Sequence, residues 1–172
     1  MLTVYGTDRF KSAYEKGLFR HDVLTGWAMQ NAGHPVTADY LESCRFRPHD
    51  KVDGALWGGT LDWYQDWIHA TRRTDAYWQQ GWWKLLADVP GNTKVPVYII
   101  DAWYDHHFGS AINTYASLAP ETKEHSWLDI GCWNHMSQPC IAWGEQHNLE
   151  NGDIHRMLEW FCLLYTSPSP RD

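Results

Sequence analysis

From Val95 onward the chain alternates apolar runs with an amphipathic segment in the order a parallel β-sheet imposes. Val95 to Ile100 reads as one strand, Ser110 to Leu118 as a crossover helix with Ala111, Ile112, Tyr115 and Leu118 as its apolar positions, and Trp127 to Ile130 as a second strand. Ala119-Pro120-Glu121 closes the helix, and the chain re-enters the sheet at about Ser126. A last helix is expected from about Asp153, where Ile154, Met157, Leu158 and Phe161 fall on one face. A right-handed crossover brings the carboxyl ends of both strands to one edge of the sheet. The first run leads into Asp101-Ala102-Trp103-Tyr104-Asp105 and the second into Gly131-Cys132-Trp133-Asn134-His135. An acid and a base therefore leave the sheet at the same edge.

The preceding part reads as helical. Leu18, Val23, Leu24 and Trp27 are spaced near a helical period, and Thr37 is placed as an N-cap before Tyr40 and Leu41. A loop rich in turn formers runs from Arg47 through Gly58-Gly59. Thr60 then caps a helix whose Leu61, Tyr64, Trp67 and Ile68 share a face. Thr74 caps the next, which carries Tyr77, Trp78, Trp82, Leu85 and Leu86 and ends near Pro90-Gly91. The 172 residues and 44% hydrophobic content suit one globular unit. A net charge of −7 without a run of either sign speaks against nucleic-acid or anionic-membrane partners, and no apolar stretch approaches the roughly 18 to 20 residues of a membrane helix. A soluble protein acting on a small neutral or cationic molecule is expected. Four cysteines, at 44, 132, 140 and 162, are too few and too irregular for a disulfide framework and assign no compartment.

Asp105 and His135 occur in the acid-then-base order of hydrolases whose serine comes earlier in the chain, with one helix in the 30 positions between them. Read alone, an Asp in a turn is usually a cap or turn former rather than a catalytic group. A second chemistry is zinc binding, since His106, His107, Cys132, His135 and Cys140 offer imidazole and thiolate ligands; the spacing Cys132-x-x-His135-x-x-x-x-Cys140 lacks the short-spaced pairs of a zinc motif and argues against it. A Cys132–Cys140 disulfide is unsupported. A third reading takes the aromatic segment from Trp57 to Trp83 as a ligand-binding module, against which the aromatics recur at helical spacing and suit core packing.

The residues around the pair carry a family resemblance. Val95-Pro96-Val97 to Trp103-Tyr104-Asp105, and Ile130-Gly131-Cys132-Trp133-Asn134-His135, resemble the motifs P-x-L-x-x-x-G-W-Y-D and I-G-P-W-x-H of the cocaine esterase and Xaa-Pro dipeptidyl-peptidase family. Upstream, Thr7-Asp8, Lys16-Gly17-Leu18-Phe19 and Trp27 resemble the family's segment after its nucleophile, and Asp75-Ala76-Tyr77-Trp78 its D-x-Y-W. Leu158-Glu159-Trp160-Phe161 resembles the start of W-F-D-x-x-L-K-G. The resemblance covers about residues 7 to 161. Ala102 stands where the family has glycine and Cys132 where it has proline; neither change removes a reacting group. For His106 and His107 the family pattern sets no expectation.

The resemblance implies a partial α/β-hydrolase: residues 1–19 as a remnant of the core, 20–90 as a helical cap, and 91–161 as the C-terminal part of a core with a mostly parallel sheet. It implies hydrolysis of a carboxylic ester or an amide of a small molecule or short peptide through a Ser-His-Asp triad, with Asp105 and His135 as catalytic residues and neither metal nor cofactor. No G-x-S-x-G elbow occurs in the chain, and Phe108-Gly109-Ser110-Ala111 lacks the second glycine. The serine and oxyanion hole are expected before residue 1, the polypeptide is expected to be inactive alone, and its oligomeric state is left open. Cys162 to Asp172 resembles a translated sequencing adapter, so the native sequence is expected to stop at Phe161 in a reading frame cut at a read or contig edge, and Met1 reads equally as a start or as an internal methionine.

Overall fold

The computed structural model describes residues 2–3, 6–136 and 154–166. In chain order its elements are β1 (Leu2–Thr3), α1 (Arg9–Ala13), β2 (Tyr14–Glu15), β3 (Leu18–Phe19), α2 (His21–Gln30), α3 (Tyr40–Arg45), α4 (Val52–Leu56), α5 (Asp62–His69), α6 (Gly81–Asn92), β4 (Tyr98–Tyr104), α7 (Phe108–Ala116), α8 (Pro120–Lys123), β5 (Trp127–Asn134) and α9 (Ile154–Thr166). Short 3-10 turns occupy His49–Lys51 and Ala76–Gln79. The chain divides into two compact units, residues 9–85 and residues 1–8 with 86–172. Among the described residues no helix is long and apolar enough to cross a membrane.

The second of these units is built on a parallel sheet of order β1-β4-β5. Alternation along β4 sends its side chains to two covered faces, which is why the strand reads as a continuous apolar run. Tyr98, Ile100 and Ala102 pack with Trp133 and Trp160, against Met157 and Phe161 of α9. Val97 and Ile99 pack on the other face with Ala111 and Leu118, against Tyr115 and Leu128. The fold is thus α/β with a parallel sheet. At Gly6, whose φ is +63°, an added Cβ would lie 2.4 Å from the Ser110 carbonyl carbon, so only glycine lets the backbone approach α7 this closely. Thr7 N–H then donates to Thr114 Oγ1 at 2.7 Å and Asn113 to Asp8 at 2.7 Å.

Several boundaries differ from those expected. The first strand begins at Tyr98 and continues through Asp101 to Tyr104, so Asp101 lies inside it rather than at its exit. Its pairing with β5 runs from Tyr98↔Trp127 past Asp101↔Ile130, and these bonds outweigh the cost of a carboxyl in the ladder. The crossover helix starts at Phe108, and the turn at 119–121 is instead the entry to α8, with Pro120 at a helix start where its missing N–H costs nothing. The final helix runs from Ile154 to Thr166. β1 was not foreseen, being only two residues long.

The unit of residues 9–85 is helical apart from the antiparallel hairpin β2–β3, whose Lys16-Gly17 turn has φ of 51° and 85°. Leu18 is therefore in a strand, not in the first long helix. Asp39, not Thr37, caps α3 and accepts from Leu41 N–H at 2.8 Å and Glu42 N–H at 3.1 Å. Leu61 rather than Thr60 precedes α5, and the segment after Thr74 is a 3-10 turn before α6. The expected loop from Arg47 to Gly59 contains a 3-10 turn and α4. Tyr14, Trp67 and Trp78 belong to one buried cluster; Val52, Trp57 and Tyr64 belong to another.

Polar tips of these rings are satisfied inside. Tyr14 Oη donates to Trp67 O at 2.9 Å, Trp78 Nε1 to Ala70 O at 2.6 Å and Trp57 Nε1 to Ser43 Oγ at 2.9 Å. Asp53, 1% exposed, ties α4 to α5: it accepts from Gly54 N–H and Leu61 N–H, each at 2.8 Å, and from Gln65 Nε2 at 2.9 Å. Asp53→Ala leaves those donors without an acceptor and is expected to destabilise the protein by about 3 kcal/mol. Urea unfolding checks this; a loss under about 0.5 kcal/mol would mean that water replaces the carboxylate at little cost.

Candidate active site

Where β4 ends, the chain turns sharply into α7, and Asp105 makes the turn. Its N–H donates to Ala102 O at 3.1 Å, its carbonyl accepts from Phe108 N–H at 3.2 Å, and its Oδ1 accepts from His107 N–H at 2.7 Å. These bonds leave Oδ2 pointing in one direction. There it accepts from His135 Nδ1 at 2.9 Å. The Asp105 side chain is 7% exposed and that of His135 37%, so a buried carboxylate holds one nitrogen of a partly open imidazole. Ser110 is not an alternative partner at the surface, since it is fully buried at the start of α7.

Two features of β5 deliver the histidine. Register runs Ala102↔Gly131 and then Tyr104↔Asn134, so β5 spends one residue more than β4 over this step. Such a bulge reverses the pleat beyond it. Without it, Asn134 would stand level with Asp105; with it, His135 does. The second feature is Gly131, where an added Cβ would lie 1.6 Å from the Trp133 ring. Glycine lets the indole fold back over its own strand and bury itself with Tyr98 and Ile100. The spacing of the motif shows neither the bulge nor the reason for its glycine.

Three further residues crowd the pair. His106 Nδ1 lies 3.4 Å from Asp105 Oδ1, and the ring centres of His106–His107, His106–His135 and His107–His135 are 3.9, 4.5 and 5.3 Å apart. One ligand atom from each of Asp105, His106, His107 and His135 falls within 4.8 Å of the others. Cys132, proposed on sequence as a companion ligand, is buried in β5 and outside this group, and Cys140 lies outside the described residues. The third is Asp101, buried one turn of the pleat before the site. Burial pushes its carboxyl up to about 7; the Ala102 N–H opposes this, Asp105 adds to it and His135 opposes it. Sequence reasoning missed Asp101 because it took the acid to follow the strand.

The sequence model of the X-Pro dipeptidyl-peptidase (S15) family matches residues 1–137, which include all three strands of the parallel sheet, Asp105 and His135. The chain belongs to this family. Membership of the X-Pro dipeptidyl-peptidase (S15) family makes it a hydrolase by descent and agrees with the resemblance carried by its Trp103-Tyr104-Asp105 and Trp133-Asn134-His135 segments. No curated protein matches it.

Proposed function

We propose that the chain supplies the acid and the base of a serine-hydrolase site, with a nucleophilic serine on a segment outside its 172 residues. The Asp105–His135 hydrogen bond carries this reading, because Asp105 is locked by its own turn and has one oxygen left to orient an imidazole. With Nδ1–H given to Asp105, the lone pair of His135 sits on Nε2. That nitrogen takes the serine proton as the hydroxyl attacks an acyl carbon, and returns it to the departing amine or alcohol. The buried carboxylate stabilises the imidazolium formed between these transfers. Residues 20–90 form the family's helical cap and 91–161 the last part of an α/β-hydrolase core. The substrate is a short peptide or a small carboxylic ester, and the reaction needs no cofactor.

The absence of a G-x-S-x-G segment from the sequence leads to a direct expectation. Purified on its own, the chain gives no burst of alcohol from a chromogenic ester and takes up no label from an active-site serine phosphonate. Joined to a family segment that bears the elbow, it does both. Labelling of the isolated chain would place the nucleophile within it and overturn the assignment.

A further inference from the structure

We propose that Asp105, His106, His107 and His135 form a binding site for a divalent transition-metal ion, zinc being the best match, and that filling it disables the Asp105–His135 pair. The binding half stands on the donor set alone; the disabling half rests on the hydrolase reading.

Four donors on one patch make the case for binding. Zinc holds imidazole nitrogen and carboxylate oxygen at about 2.0 to 2.2 Å, which sets neighbouring ligand atoms about 3.4 Å apart in a tetrahedron. The four donors here lie within 4.8 Å of one another, so side-chain rotations of about 1 Å close the shell without moving the backbone. Asp105 is already fixed by the His107 N–H, as carboxylate ligands are in metal sites generally. Adjacent residues such as His106 and His107 usually point apart. Here the turn into α7, with His107 at φ −86° and ψ −8°, brings their ring centres to 3.9 Å with the planes inclined at 42°. Three imidazoles and one carboxylate suit zinc, nickel or copper; magnesium and calcium prefer all-oxygen shells.

The consequence for His135 does not depend on which of its nitrogens binds. At Nε2 the ion occupies the lone pair that would accept the serine proton. At Nδ1 it binds the tautomer whose proton has moved from Nδ1 to Nε2 and takes the carboxylate as well, so that Nε2 carries a hydrogen and no lone pair. Either way the imidazole can no longer move a proton, and His106 and His107, which have no part in the triad chemistry, acquire one.

The chain as it stands tests this. Titrated with zinc after chelator treatment, it should bind one ion per chain with a dissociation constant below about 10 µM. Cobalt at the same site should give a visible ligand-field spectrum that zinc abolishes. His106→Asn with His107→Asn should weaken binding by about 100-fold, while Cys132→Ser and the exposed His125→Asn leave it unchanged; circular dichroism checks that each variant keeps its secondary structure. In protein joined to the nucleophile-bearing segment, the ion should abolish turnover and a chelator restore it. No stoichiometric binding, binding indifferent to His106 and His107, or full turnover with the ion bound would each overturn the proposal. An ion that binds at these histidines in a joined protein without hydrolase activity would instead count against the triad and leave the binding half standing.

Discussion

In the protein joined to its nucleophile-bearing segment, Asp105→Asn lowers kcat by about four orders of magnitude and leaves KM within a few-fold. The size of the effect follows from hydrogen-bond direction. His107 N–H requires an acceptor where Asp105 Oδ1 stands, so the asparagine places its oxygen there and turns its amide nitrogen toward His135. Two donors cannot face each other at 2.9 Å. The imidazole must move its proton to Nε2, and the nitrogen facing the serine then has no lone pair to offer. Binding of substrate, made elsewhere, is untouched. Steady-state kinetics on an ester substrate decide the matter: an asparagine variant retaining a tenth of the wild-type kcat would show that Asp105 serves only the turn into α7.

The second large effect concerns stability. Asp101 is 5% exposed, its Oδ1 accepts from the adjacent Ala102 N–H at 2.7 Å, and its Oδ2 has no hydrogen-bond partner among the described residues. Desolvation lifts its pKa from 3.8 in the unfolded chain to about 7 in the fold. Below pH 4 both states are protonated and the group has no effect. Between pH 4 and 7 the unfolded chain ionises while the folded one keeps its proton, so stability falls as pH rises, and above pH 7 the full cost is present. The gap is worth on the order of 4 kcal/mol. Asp101→Asn, close in shape to the protonated acid, should therefore match the wild type near pH 4 and exceed it by about that amount at pH 8. Urea midpoints that run parallel for the two proteins across this range would show that water reaches the carboxyl. Asp105 and His135, the titratable groups facing Asp101, stay the same in both proteins.

How much of this was legible beforehand differs between the two units. β4 follows from runs such as Tyr98 to Ile100, because a strand covered on both faces reads as a continuous apolar run, and α7 and β5 follow from the amphipathic segment and second apolar run after it. The meeting of Asp105 with His135 followed from parallel topology. What no local pattern carries is a change of register, so the bulge at Cys132 and Trp133 stayed hidden, as did the continuation of β4 through Asp101. In residues 9–85 the apolar positions of α5 were correct, yet the caps of α3 and α5 slipped by two residues and by one, and the helix expected after Thr74 starts only at Gly81. Side chains such as Asp53, which bridges two helices, decide those ends across distances in sequence that periodicity cannot span. Clustering of His106, His107 and His135 likewise needed the turn geometry.

The bulge gives the stretch from Gly131 to Asn134 one residue more than an even ladder needs. Losing one residue there would let the strands pair evenly and still set His135 level with Asp105, whereas even pairing with every residue kept would set Asn134 there and carry His135 one position on, to the opposite face of the pleat. A protein with that slipped register would keep every chemical group of the site and possess no site. Register in β5 is thus as decisive as composition, and no inventory of residue types would reveal it.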